Sequence, residues 1–214
     1  VLASATFARN RVWRSEITLW EDITKKSPRV ALGHNNLGRA YYFKGLTEKA
    51  IEHYRIAAGL RHDYAEPHYN LGVAFESKGL IDNAIERYHI AIKLKPDFAA
   101  AHNGLGNAYL SKGSFDNAVE HYGIAARLRP EYVDAYYNLG VAYGSKGLLD
   151  KAIEYYRAAL AIDPGYSNAH NNLGVIYLEK GIMDEARKEF EIALRINPNH
   201  YQAKLYLDYI NNLK

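Results

Sequence analysis

Apolar and small residues recur along this chain with two superimposed periods. Within residues 133–166, Tyr136, Leu139, Gly140 and Tyr143 step by three and four. Ala152, Tyr156 and Ala159 repeat that step further on, so each set lies on one face of a helix. The pattern predicts two amphipathic helices joined by a short turn. The second period is 34 residues: Leu139 and Gly140 recur as Leu37 and Gly38, Leu71 and Gly72, Leu105 and Gly106, and Leu173 and Gly174. In the same register an aromatic follows at Tyr41, Phe75, Tyr109, Tyr143 and Tyr177. The second helices carry Ala50, Ala84, Ala118, Ala152 and Ala186, then Tyr54, Tyr88, Tyr122, Tyr156 and Phe190. Small and large residues thus alternate as interdigitating helices require. A glycine inside a helix costs about 1 kcal/mol relative to alanine. The repeated glycine after leucine therefore needs a reason, and close approach of a partner helix supplies one.

The punctuation fits. Gly45, Gly79, Gly113, Gly147 and Gly181 stand where each first helix should end, because glycine adopts the left-handed cap conformation cheaply. Lys44, Lys78, Lys112, Lys146 and Lys180 precede them and complement the negative helix end. Glu48, Asp82, Asp116, Asp150 and Asp184 open the second helices, where the dipole favours an anion. Helix-end charge explains this lysine row better than a phosphate-binding ladder does.

These positions resemble the tetratricopeptide repeat, as do Ala57, Ala91, Ala125, Ala159 and Ala193 and the prolines Pro96, Pro130, Pro164 and Pro198. Only the first unit lacks the proline, having His62. The resemblance implies an all-α, right-handed superhelical solenoid of antiparallel helix pairs. Five full units are expected at 31–64, 65–98, 99–132, 133–166 and 167–200. Residues 1–30 read as a worn, truncated repeat in which Pro28, Ile23 and Trp20 keep the family's positions and Glu16 replaces an alanine. Residues 201–214 read as a capping helix, because Lys204, Asp208 and Asn211 occupy positions that a full unit buries. A natural C-terminus is expected from this. The absence of an initiator methionine and the start inside a unit point to a fragment or a processed product.

The segment RNRVWRSEITLWEDITKKSP, followed by NNLG, resembles the junction before the repeat region of membrane glycosyltransferase-like proteins. That resemblance implies a membrane-anchored parent with these repeats outside the cytoplasm; otherwise a cytoplasmic location is equally compatible. The alternative is that Trp13 and Trp20 simply cover the open face of the first repeat. No stretch has the pattern of a signal peptide or a membrane span, so no membrane contact is expected of these residues themselves.

Charge and chemistry narrow the function. Of the 27 basic and 24 acidic side chains, six and three lie in residues 1–30 (the bases being Arg9, Arg11, Arg14, Lys25, Lys26 and Arg29), so residues 31–214 hold 21 of each. Neutral repeats give a nucleic-acid role little support. Cysteine is absent, which excludes disulfides and thiol chemistry. No catalytic motif is present, and no catalytic, cofactor-binding or metal residue is expected. His34, His68, His102 and His170 share one position per unit. Equivalent side chains about 10 Å apart cannot share an ion whose ligands lie about 2 Å away, so these are packed histidines. His62, Asp63, Glu66 and His68 form a local cluster of ligand types whose spacing matches no metal motif.

Function is therefore expected on the first helices, which line the concave groove in the family. Their unburied stripe holds Asn35, Asn36 and Arg39; Tyr69, Asn70 and Glu76; Asn103 and Asn107; Tyr137 and Asn138; Asn171 and Asn172. An amide offers donors and an acceptor, so a ladder of asparagines can hold a peptide backbone without reading its side chains. Asn36, Asn70, Asn138 and Asn172 are similar to the ladder that nucleocytoplasmic O-linked N-acetylglucosamine transferases use, with Gly104 interrupting it. The alternative is that these amides satisfy neighbouring helix and loop groups. Odd units read HNN, HNG and HNN where even units read HYN and YYN, either a trace of two-repeat duplication or a ligand with a two-unit period. The expected function is a non-catalytic scaffold that binds protein or extended peptide. The alternatives are a substrate-recruiting region of a larger glycosyltransferase and a scaffold that self-associates through its ends or groove.

Overall fold

A computed structural model describes residues 16–212. Arg9, Arg11, Trp13 and Arg14 lie outside the described residues, and so does the capping role expected of Trp13. The described residues contain twelve α-helices and no strand: α1 (Glu16–Lys26), α2 (Ala31–Phe43), α3 (Thr47–Leu60), α4 (Ala65–Ser77), α5 (Ile81–Leu94), α6 (Ala99–Ser111), α7 (Phe115–Leu128), α8 (Val133–Ser145), α9 (Leu149–Ile162), α10 (Ser167–Glu179), α11 (Met183–Ile196) and α12 (Tyr201–Asn211). They fall into two compact units, residues 1–108 and 109–214, with the division inside α6.

One turn is used five times. Gly45, Gly79, Gly113, Gly147 and Gly181 all have φ between 72° and 74°. In the first turn the Leu46 amide donates to the Tyr41 carbonyl and the Gly45 amide to the Tyr42 carbonyl, both at 2.9 Å. That double closure satisfies carbonyls the helix end would otherwise leave open. Three of the lysines before these glycines reach further than their own helix end. Lys78 pairs with Glu48, Lys146 with Asp116 and Lys180 with Asp150, each the acid that opens the second helix one repeat earlier.

The helix-interior glycines have a steric cause. A Cβ on Gly72 or Gly140 would stand 2.5 Å from the ring of Tyr88 or Tyr156, and on Gly38 or Gly174 it would stand 2.6 Å from Tyr54 or Phe190. Each ring lies flat against the backbone of the preceding helix, and the rings are buried. Gly104 serves the same purpose in a different place: its Cβ would meet the Tyr88 ring at 2.7 Å. The ladder is interrupted there because an aromatic ring fills the space an asparagine would need.

Three of the four histidines in the row close loops. Nε2 of His34, His102 and His170 lies 3.1–3.2 Å from the carbonyl of Pro28, Pro96 and Pro164 respectively. A carbonyl only accepts, so the proton sits on Nε2 in each case. The cluster at 62–68 disperses into separate contacts: Asp63 pairs with Arg61 at 3.0 Å, and Glu66 faces Lys95 at 3.8 Å. At the N-terminal end α1 docks on α2 through Thr24, which is buried, and through the Tyr41 hydroxyl, which donates to Glu21 at 2.6 Å. At the C-terminal end Lys204, Asp208 and Asn211 of α12 are exposed, while Ala203 and Ile210 are buried against the core of residues 109–214.

Candidate binding face

The first helices carry the candidate residues, and the structure divides them into two groups. Asn36, Tyr69, Asn70, Glu76, Asn107, Tyr137, Asn138 and Asn172 are half-buried, and Arg39 is exposed. Asn35, Asn103 and Asn171, expected on the unburied stripe, are buried, with 4%, 8% and 3% of their surface exposed. Asn35 faces across to the neighbouring repeat, whereas Asn171 bonds along its own helix. Asn35 Oδ1 accepts a hydrogen bond from Asn70 Nδ2 at 2.9 Å, and Asn171 Nδ2 donates to Asn172 Oδ1 at 3.2 Å. Where the even repeats place tyrosine instead, an aromatic cluster forms. Tyr69 packs on Phe98 and Tyr88 at 5.1 and 5.9 Å, and Tyr137 on Tyr166 and Tyr156 at 5.1 and 5.7 Å. The alternation of asparagine and tyrosine is thus an alternation between amide hydrogen bonds and aromatic clusters held within one repeat.

Two members of the asparagine ladder direct amide protons into the protein. Besides the Asn70 bond, Asn172 Nδ2 lies 3.1 Å from the Tyr156 hydroxyl and 3.2 Å from that of Tyr137. Glu76 is likewise engaged: the Tyr88 hydroxyl donates to it at 2.7 Å. Burial raises the Glu76 carboxyl above the usual carboxylate range, an effect the Tyr88 bond opposes. Burial raises the Tyr88, Tyr156 and Tyr137 hydroxyls in turn. These phenols stay neutral at any physiological pH, Tyr88 donating to Glu76 and Tyr137 and Tyr156 accepting from Asn172.

Within residues 1–108 the face opens into a cleft of about 440 Å³. It is lined by Asn35, Arg39, Tyr42 and Phe43 of α2, Tyr54 of α3, Glu66, Tyr69, Asn70 and Val73 of α4, and Phe98. A smaller cleft of about 130 Å³ shares Arg39 and Phe43 and is lined by Glu16, Trp20, Asn36 and Ala40 as well. Within residues 109–214 a cleft of about 330 Å³ is lined by Val141, Gly144, Ser145, Leu149, Tyr156, Asn172, Val175, Ile176 and Glu179. The sequence does not single out Tyr42, Phe43, Val73, Phe98, Val141 or Val175 for this face. The available signal is departure from the repeat: Phe43 stands where other units have Ser77, Ser111, Ser145 and Glu179. Among the described residues no group of three or more His, Asp or Glu side chains could hold a metal ion, and no helix is long and apolar enough to cross a membrane.

Comparison with known proteins gives a consistent picture. Models of the tetratricopeptide repeat match residues 105–167 and 145–206, and a TPR repeat model matches residues 38–79 and 75–113. Among solved structures, MamA is similar at 32% identity, over 78% of this chain and 97% of that one, with a TM-score of 0.68. YrrB, a TPR protein with an unusual peptide-binding site, aligns at 21% identity over 88% of this chain and 97% of its own, with a TM-score of 0.68. A thermophilic TPR protein of Thermus thermophilus, TTC0263, aligns at 22% identity over 86% of this chain and 100% of its own, with a TM-score of 0.69. The last two likenesses concern the fold alone. Comparison with curated protein sequences finds no match to this chain. With the same helix pair, the same capping glycine and the same glycine-on-ring contact recurring through both units, the chain belongs to the tetratricopeptide repeat family.

Proposed function

We propose that this chain is a non-catalytic scaffold that binds a protein segment or extended peptide along the face formed by its first helices. The observation that carries this reading is the pair of clefts in residues 1–108, which share exposed Arg39 and Phe43. The helices that hold the clefts are fixed by a buried core, so the ordering cost of binding falls mainly on the ligand. A peptide-binding site in YrrB, which shares the fold, supports the same use of it here. The asparagines support the reading less than their number suggests, because Asn70 and Asn172 already bond within the protein.

The test is affinity capture from lysate of the source cells with the native chain and with Val73→Arg combined with Val141→Arg. These two residues line the clefts of the two units and are only half-buried, so circular dichroism should show both proteins folded. The expected outcome is partners captured by the native chain and lost by the variant. An unchanged set of partners would move the binding surface elsewhere. Tyr201, Leu205 and Tyr209 on α12, at 76%, 53% and 54% exposure, favour a second reading in which copies associate through this end. Light scattering over a concentration series separates the two, since only self-association raises the mass of the isolated chain.

A further inference from the structure

Five equivalent units allow each groove position to be compared with its own counterparts, and α2 departs from them at three positions on one side. Arg39 stands where later units have Val73, Asn107, Val141 and Val175. Tyr42 replaces Glu76, Leu110, Gly144 and Leu178, and Phe43 replaces three serines and a glutamate. Phe43 leaves 75% of its surface in water, and Leu32, on the same helical stripe, leaves 56%. The repeat's packing requires none of this, since the other units fold with aliphatic, small or acidic residues or an asparagine there and none has an arginine or an aromatic. The same cleft is lined by two further aromatics, Phe98 and Tyr69, which pack on each other at 5.1 Å.

The charge is also asymmetric. Among the described residues Arg39 is the one basic side chain lining either cleft, and it makes no ion pair with any of them. Glu66, the acid of the larger cleft, faces Lys95 at 3.8 Å, and Lys95 lies 5.0 Å over the Phe98 ring. Glu76, behind Val73, accepts from Tyr88. Glu16 lines only the smaller cleft. An anion arriving in the larger cleft therefore meets an unpaired guanidinium beside three aromatic rings.

We infer that the first two repeats form a subsite for an extended peptide segment in which an aromatic or large aliphatic side chain is flanked by an acidic residue. This rests on the groove-binding reading and gives it a chemistry. The apolar side chain inserts between Phe43 and the Tyr69–Phe98 pair, where its burial also removes Phe43 from water. The carboxylate accepts from Arg39, whose planar fork suits two parallel hydrogen bonds. The combination excludes basic segments by like charge and short polar segments for want of an anchor.

The test uses a display library of random peptides selected on the intact chain, followed by fluorescence anisotropy with one enriched peptide. Arg39→Val and Phe43→Ser install the residues that equivalent units already carry, so both variants should keep the fold, as circular dichroism can verify. Enriched peptides should pair an aromatic or large aliphatic residue with Asp or Glu. Each variant should weaken the chosen peptide about tenfold or more, Arg39→Val should flatten its salt dependence, and Arg39→Glu should redirect selection toward Lys and Arg. Enrichment without an acidic preference, or peptides retained equally by both variants but lost with Val141→Arg, would overturn this subsite while leaving groove binding intact. No enrichment at all, together with lysate capture indifferent to Val73→Arg and Val141→Arg, would remove both.

Discussion

The two units build one kind of core and expose two different faces. In residues 1–108, Tyr88 lies against Gly72; in residues 109–214, Tyr156 lies against Gly140, with the same 2.5 Å distance to the absent Cβ. Tyr69 and Tyr137 sit in matching aromatic clusters with ring distances that agree within 0.2 Å. Yet the positions held by Arg39, Tyr42 and Phe43 in the first unit are held by Val141, Gly144 and Ser145 in the second. The first cleft offers a cation and an aromatic ridge, while the second offers small and aliphatic walls ending at Glu179. The stacking interaction therefore fixes only the side of each first helix that faces its partner. The outer side is free to take chemistry, and here the two ends of the chain have taken different chemistry.

The largest expected effects should be the same in both units. Leu71→Ala and Leu139→Ala remove side chains exposed by only 1% and 3%, and each should cost about 2–5 kcal/mol through the cavity left behind. Denaturant unfolding followed by residue-resolved hydrogen exchange would measure each loss in its own unit, and a several-fold inequality would break the equivalence of the cores. A smaller effect separates two kinds of glycine. Gly72→Ala forces a methyl into a buried ring, and the overpacking of about 1–3 kcal/mol should outweigh the gain in helix propensity of about 1 kcal/mol. Gly123 has no heavy atom within 4 Å of where a Cβ would stand, so Gly123→Ala should stabilise by about 0.5–1 kcal/mol. Melting curves of the two variants should move in opposite directions.

The smallest effect sharpens the comparison through pH. Burial lowers His53 and His68, both in residues 1–108, below their ordinary value, and His34 nearby lowers His53 further. Their folded-state values lie below their unfolded ones, so the folded unit binds fewer protons. Its stability is fully present above the unfolded histidine value of about 6.5 and is lost as pH falls through it toward the folded values. Hydrogen exchange corrected for intrinsic rates should show α3 and α4 losing protection between about pH 7 and about pH 5. His68→Gln should blunt that loss.

The helix pairs, their capping glycines and the core positions are legible in the sequence because they depend on local conformation and on a contact repeated every 34 residues. Gly72 and Tyr88 announce each other by recurring together. The candidate binding face is less legible, because solvent access there depends on what the neighbouring repeat presents. Asn35 and Asn36 are adjacent and identical, yet the first is buried and accepts from Asn70 while the second stays half-buried beside the smaller cleft. Nothing near Asn172 in the sequence shows that the Tyr137 and Tyr156 hydroxyls come within its reach from another helix pair. Phe43 hides for the opposite reason: a periodic pattern displays what recurs and passes over the one residue that differs.

The lysine at each turn has a bearing on how such a chain can change in length. Lys78, Lys146 and Lys180 each meet an acid that lies 30 positions earlier, on the repeat before. Exposed pairs of this kind add about 0–1 kcal/mol each, so they hardly decide whether the protein folds. Their value lies in counting by whole repeats: gaining or losing one complete unit gives each of these lysines a new acid in the same place. A gene that expands or contracts by unequal crossing-over can therefore vary its copy number without stranding a charge at the junction, whereas any shift out of register would leave one on each side.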